Sequence, residues 1–212
     1  MSVLGSARRL VGQLLFERRY GVRTAELVKL ERFGLAGNER VYYVPANWTT
    51  LRKTLKRGEV GPDDVFIDFG AGMGRMVLEA TRLPFKRVIG VELSAELHQI
   101  SRENLIKTTV RRRCGDVELV CSDVLDYDIP DDVSVVFFNN PFRGSVFESV
   151  IKRLLESVDA APRLVRVIYY NPAEAPFLES TGRFRLVGTY RQSWRSRGEG
   201  PFGITHVYEI TP

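Results

Sequence analysis

Val65-Phe66-Ile67-Asp68-Phe69-Gly70-Ala71-Gly72-Met73-Gly74-Arg75 joins a short β-prone apolar run to an acid, three alternate glycines and the start of a helical pattern. Glycine lets the backbone turn tightly and approach a ligand closely, and the helix start behind it offers unpaired N–H groups. Dinucleotide-binding loops place their third glycine at the position held here by Arg75, so that pattern is not met. The other reading of the stretch by itself is a tight strand-to-helix turn without a ligand.

Outward from this turn the chain alternates short β-rich runs with helical ones. Val65–Asp68, Arg87–Val91, Glu118–Cys121, Val133–Phe138 and Leu164–Tyr170 read as strands. Arg75–Leu83, Ala95–Lys107 with Ser94 as N-cap, and Val146–Val158 read as helices. Such alternation predicts βαβ units and a parallel sheet buried on both faces. Phe184–Trp194 and Ile204–Thr211 have only a Gly/Pro-rich loop between them, which predicts an antiparallel hairpin on the sheet edge. Before the sheet, apolar spacing over Ala7–Phe33 and again at Trp48–Leu55 predicts short helices. The expected fold is a doubly wound α/β one: a mostly parallel sheet ending in an antiparallel hairpin, with an N-terminal helical cap. The cap or lid is assigned to residues 1–60 and the catalytic domain to 61–212.

Three strand ends carry candidate polar groups. Glu92 closes the second strand in Gly90-Val91-Glu92-Leu93-Ser94, where a carboxylate can accept from two neighbouring hydroxyls, or simply sit solvated at a helix start. Asp123 and Val124 follow the third strand, and Phe138-Asn139-Asn140-Pro141-Phe142 ends the fourth. The spacing Gly70-x-Gly72-x-Gly74 behind Asp68 resembles motif I of class I S-adenosylmethionine-dependent methyltransferases, enzymes with a seven-stranded Rossmann-like sheet. The resemblance implies that Gly70, Ala71, Gly72 and Gly74 cradle the methionine part of the cofactor and that Asp68 holds its amino group. It implies ribose contacts at Glu92 and Leu93, and adenine contacts at Asp123 and Val124. Asn139-Asn140-Pro141-Phe142 is similar to the Asp/Asn-Pro-Pro-Tyr/Phe station of amino-methyltransferases, with Asn140 in place of the first proline. On that likeness Asn139 accepts from the acceptor N–H beside the cofactor, Pro141 lines the acceptor, and the Phe142 ring faces the developing cation.

Tyr42-Tyr43-Val44-Pro45 and Trp48-Thr49-Thr50-Leu51 resemble the segment before motif I in lysine methyltransferases related to the disruptor-of-silencing histone enzymes, and in small bacterial natural-product methyltransferases. The likeness implies closure over the cofactor, with Tyr43 at the cofactor and Trp48 at the substrate; the residues by themselves read more simply as core aromatics. Of the two histidines, His98 lies inside a helix and reads as structural. His206 starts the last strand at the glycine-loop end of the sheet, where a neutral imidazole can take a proton. Tyr170, Asn171, Trp194 and Phe202 fall at that same edge and are candidates for the acceptor pocket.

Net charge is +5, from 31 Lys/Arg against 26 Asp/Glu. The excess is not uniform. Residues 1–57 hold twelve cations against four acids, residues 58–182 fourteen against twenty, and residues 183–212 five against two. An acidic middle opposes a broad phosphate track and makes nucleic acid the less favoured partner. Two cysteines without histidines at ligand spacing support neither a disulfide framework nor a zinc site, and a cytoplasmic compartment is expected, with no membrane span. The expected activity is methyl transfer from S-adenosylmethionine to a nitrogen or electron-rich aromatic carbon of a small metabolite, an indole-type natural product being one candidate. Protein lysine methylation and a non-catalytic adenosyl-binding role are the alternatives.

Overall fold

The computed structural model describes residues 14–25, 45–191 and 203–210. Seven strands form one sheet: β1 Val65–Phe69, β2 Arg87–Glu92, β3 Asp116–Cys121, β4 Val133–Phe138, β5 Val165–Tyr170, β6 Phe184–Arg191 and β7 Ile204–Ile210. Their order across the sheet is β3-β2-β1-β4-β5-β7-β6. The pairs among β1 to β5 are parallel, while β7 runs antiparallel between β5 and β6. The last two strands therefore pair as expected, but it is β6 that takes the edge and β7 that is enclosed.

The helices are α1 (residues 14–20), α2 Thr50–Thr54, α3 Arg75–Ala80, α4 Ala95–Lys107, α5 Gly144–Ala160 and α6 Ala175–Ser180. Ser94 caps α4 as the sequence suggests, its Oγ accepting from the Leu97 N–H at 3.3 Å. The short α6 has no counterpart in the sequence reading. Pro172 and Pro176 punctuate that stretch like a loop, yet Pro176 sits in the helix's first turn, where its missing N–H costs nothing.

Alternation along the strands divides the core in two. Val65, Ile67 and Phe69 face a cluster with Phe138, Phe142, Phe147, Leu154 and Leu178, under α5 and α6. Phe66 faces the other side, with Leu51, Met76, Val77, Phe85 and Val88, under α2 and α3. Burial on both faces holds for β1, β2, β4 and β5 but fails for β3, whose residues are exposed or half-buried, because an edge strand has a neighbour on one side only. The strands that end at the candidate site are thus the rigid central ones.

Candidate active site

The glycine turn connects β1 to α3. Gly70, Gly72 and Gly74 all have positive φ, at 75°, 55° and 81°. At Gly70 the requirement is also steric, since a Cβ there would run into the Pro141 ring. That contact places the glycine turn against the loop after β4, so two segments 70 residues apart share one wall.

Glu92 is fixed by this turn. Its Oε2 accepts from the Gly72 N–H at 2.7 Å and its Oε1 from the Ser94 N–H at 2.8 Å. Burial raises its pKa even so, the backbone donors of Ser94, Gly72 and Leu93 offsetting only part of the desolvation. Asp68 lies beside it, 3% exposed, and its pKa is raised well above the usual carboxylate range by burial first and by the Glu92 charge second. Nothing among the described residues donates a hydrogen bond to the Asp68 carboxylate. Two adjoining buried acids, one pinned and one unpaired, favour a ligand that brings a cation and hydroxyls.

The remaining strand ends complete the edge. Asp123 is half-buried after β3, and its Oδ1 accepts from the Leu125 N–H at 3.1 Å, so it also caps its own turn. Leu93 is half-buried and Val124 is buried in the α5-side core. After β4, Asn139 is half-buried, and its Oδ1 accepts from Asn171 Nδ2 at 3.4 Å. Asn171, after β5, is held by the loop before β7: its Oδ1 accepts from the Gly203 N–H at 2.8 Å, and its N–H donates to the Ile204 carbonyl at 2.9 Å.

Asn140 and Asn171 both sit in the left-handed region, at φ 49° and 53°. Proline is locked near −65°, so the backbone at Asn140 differs from that of a Pro-Pro motif, a change deeper than a side-chain swap. Asn140 Oδ1 accepts from the Tyr169 hydroxyl at 3.4 Å, and that hydroxyl accepts from the Glu174 N–H at 3.2 Å. Tyr169 does not stand out in the sequence reading, and Asn140 enters it only as the residue in place of the first proline. The signal available for Asn140 is its place where a proline was expected, since Asn tolerates positive φ.

Several expected residues are placed elsewhere. The Phe142 ring is 4% exposed and packs with Phe138 and Phe147 at centroid distances of 6.0 and 6.2 Å, so it lies in the core and not toward an acceptor. Tyr170 is buried in the α3-side core. His206 does stand at the glycine-loop end of the sheet, in register with Tyr169, but its Nδ1 lies 2.9 Å from the Tyr208 hydroxyl on the α6 side. Burial lowers its pKa, which keeps the imidazole neutral at pH 7. His98 is half-buried in α4. Tyr43, Trp194 and Phe202 lie outside the described residues.

Trp48 is 2% exposed, its ring stacked on Phe16 at 6.1 Å and tilted against Tyr20 at 5.3 Å, with the Arg75 guanidinium 5.0 Å from its centroid. Arg75 is the hub of this cap. It is fully buried, donates to Thr24 Oγ1 at 2.7 Å and to the Ala46 carbonyl at 2.8 Å, and pairs with Glu17 at 3.2 Å. The residue that breaks the dinucleotide pattern thereby fastens the N-terminal segment to the first turn after the glycine loop. Among the described residues no group of His, Cys, Asp and Glu is arranged to hold a metal, both cysteines are free, and no helix is long and apolar enough to cross a membrane.

Residues 66–161 match the model of a family described as a methyltransferase domain. A probable ribosomal RNA small subunit methyltransferase A of Methanopyrus kandleri is 32% identical over 115 residues, 52% of this chain and 37% of that protein. A protein-lysine N-methyltransferase of Saccharolobus islandicus is 29% identical over 99 residues, 46% of this chain and 60% of its own length. The chain thus spans less than two thirds of either relative. Among solved structures, the glycopeptide N-methyltransferase MtfA complexed with S-adenosylmethionine aligns with a TM-score of 0.57 over 80% of this chain and 88% of that one, at 13% identity, a likeness of fold.

Proposed function

We propose that this chain, whose residues 66–161 match a methyltransferase-domain model and whose fold is that of class I enzymes, uses S-adenosylmethionine to transfer a methyl group to a nitrogen of its acceptor. The observation that carries this reading is the buried Asp68–Glu92 pair beside the glycine turn. Among the described residues Asp68 has no hydrogen-bond donor, and an ammonium group supplies one. Glu92 keeps free lone pairs on both oxygens after accepting from Gly72 and Ser94, enough for two ribose hydroxyls. Asp123 and the Val124 N–H stand at the next strand end for the adenine edge. S-adenosylmethionine, when bound, supplies a sulfonium methyl that needs no further activation. The chain then has to hold the acceptor nitrogen about 3 Å from that carbon and in line with it. Asn139, with its Oδ1 steadied by Asn171, orients the N–H by accepting from it.

The cofactor part is tested by calorimetry with S-adenosylhomocysteine and NAD. Binding of the first and not the second is expected, and the reverse removes the assignment.

For the acceptor we propose a nitrogen on a macromolecule. The indole-type metabolite expected from the sequence needs aromatic pocket walls, whereas Phe142, Tyr170 and Trp48 are packed in cores, and Trp194 and Phe202 lie outside the described residues. The two sequence relatives are named for ribosomal RNA and for protein lysine. Incubation with methyl-labelled S-adenosylmethionine and a fractionated cell extract decides: label in nucleic acid or protein is expected, label confined to small molecules restores the metabolite, and no label favours a non-catalytic binding role.

A further inference from the structure

Two basic runs about 80 residues apart in sequence meet on one surface. The first holds Arg18, Arg19 and Arg23 in α1 and the turn after it, and the second holds Arg102, Lys107, Arg111, Arg112 and Arg113 at the end of α4 and the loop beyond. Backbone geometry joins them. The Thr109 N–H donates to the Tyr20 carbonyl at 3.0 Å and its hydroxyl to the Arg19 carbonyl at 2.9 Å. Asn104 clasps Arg23, accepting from its N–H and donating to its carbonyl, each at 2.9 Å. All eight cations are exposed. Among the described residues only Lys107 has a carboxylate at ion-pair distance, Glu103 at 3.2 Å.

So many like charges on one surface repel one another and call for an external anion of matching density. Seven of the eight are arginines, whose planar forks bind phosphodiester oxygens in pairs. The aromatic side chains of α1 are Phe16 and Tyr20: the Phe16 ring is occupied by Tyr20 and Trp48, and the Tyr20 ring by Trp48 and by the Arg82 guanidinium 5.6 Å from its centroid. Among the described residues no ring is left for an unpaired base to stack on, which disfavours single strands and favours backbone contacts to a double helix. Three aliphatic side chains stand exposed on these elements, Leu14 and Leu15 in α1 and Ile106 beside Lys107; they are outnumbered by the eight cations, so phosphate contacts are the better match and anionic lipid is the competitor to exclude.

We propose that this arginine-rich surface docks the phosphodiester backbone of a nucleic-acid duplex. It lies at the far end of α4 from Glu92, and a helix of 13 residues covers about 20 Å. Roughly ten base pairs at about 3.4 Å each exceed that length, so a duplex docked here is longer than the separation between this surface and Glu92. The link to catalysis rests on the methyl-transfer reading, whereas the docking itself does not.

The test is fluorescence anisotropy of the full chain with labelled RNA and DNA duplexes of the same sequence, about 16 base pairs long, at roughly 50 and 200 mM salt. Vesicles of anionic phospholipid serve as the competing polyanion. Expected is duplex binding that weakens at least tenfold between the two salt concentrations, with the RNA and DNA arms telling which duplex is preferred. Arg111→Glu/Arg113→Glu and, separately, Arg18→Glu/Arg19→Glu should each weaken it at least tenfold while S-adenosylhomocysteine binding, the control for folding, is unchanged. Absence of duplex binding at low salt, variants that bind like the parent, or capture by vesicles alone would overturn the proposal. A parent protein that binds duplex but no S-adenosylhomocysteine would instead count against the methyl-transfer reading and leave the docking surface standing.

Discussion

Burial and the neighbouring Glu92 charge both work against an ionised Asp68, with two measurable consequences. Its folded pKa lies above the unfolded one, so the native state binds more protons across the interval between them, and stability falls as pH rises through it. Asp68→Asn should therefore raise the melting temperature of the ligand-free protein at pH 7 while abolishing S-adenosylhomocysteine binding. Scanning calorimetry and titration calorimetry on one preparation check both, and a variant that loses stability as well as binding would mean that Asp68 is a structural acid. Ligand affinity has the opposite sign, since Asp68 and Glu92 must both be ionised to meet an ammonium and hydroxyls. Affinity should thus decline with falling pH while still above the ordinary carboxylate range near 4. At the neighbouring strand end, Asn139→Ala should lower the methyl-transfer rate by about tenfold or more, near 1.4 kcal/mol in the barrier, with cofactor affinity little changed. Full activity in that variant would remove Asn139 from the acceptor's positioning.

At the scale of elements, the spacing between β2 and α3 depends on one absent side chain. A Cβ on Gly90 would stand 2.7 Å from Val77 Cγ2 and 3.1 Å from Ala71 Cβ. Gly90→Ala should then cost about 1–3 kcal/mol by overpacking, and it should disturb the turn that holds Glu92. Val77→Ala removes the nearest obstacle, so denaturant unfolding of both single variants and the double should give a double-variant loss smaller than the sum of the two. Simple additivity would show that the helix shifts freely and the spacing carries no strain. Element positions were mostly legible in the sequence, because apolar periodicity and caps are local signals, as at Ser94 and α4. The short α6 was not, because its prolines announce a loop and only its packing makes it a helix.

Over the whole molecule, the cap is tied down by a buried ion pair. Removing the cation with Arg75→Ala leaves Glu17 buried without its partner, a loss of about 3–5 kcal/mol where a buried pair is broken. The melting temperature should fall sharply in the ligand-free protein, and Glu17→Gln in the same background should restore part of it by removing the stranded charge. No loss would mean that the segment is only loosely attached and not the lid that residues 1–60 were expected to form.

The sequence by itself determined the α/β class, the glycine turn, the acids at three strand ends and the terminal antiparallel pair. Each follows from residue types a few positions apart: periodicity, a turn that only glycine permits, and a polar group where an apolar run stops. Tertiary structure alone decided which of these groups meet. It set Pro141 against Gly70, buried Asp68 beside Glu92 with no donor to it among the described residues, turned Phe142 into the core, and gave Asn140 a backbone that proline could not adopt. It also decided the meaning of charge. Summed along the chain, the acidic middle hides the cations of 102–113, but Thr109 and Asn104 lay that run beside Arg18, Arg19 and Arg23. Composition averages over sequence, whereas Coulomb's law acts over distance, and only the fold converts one into the other.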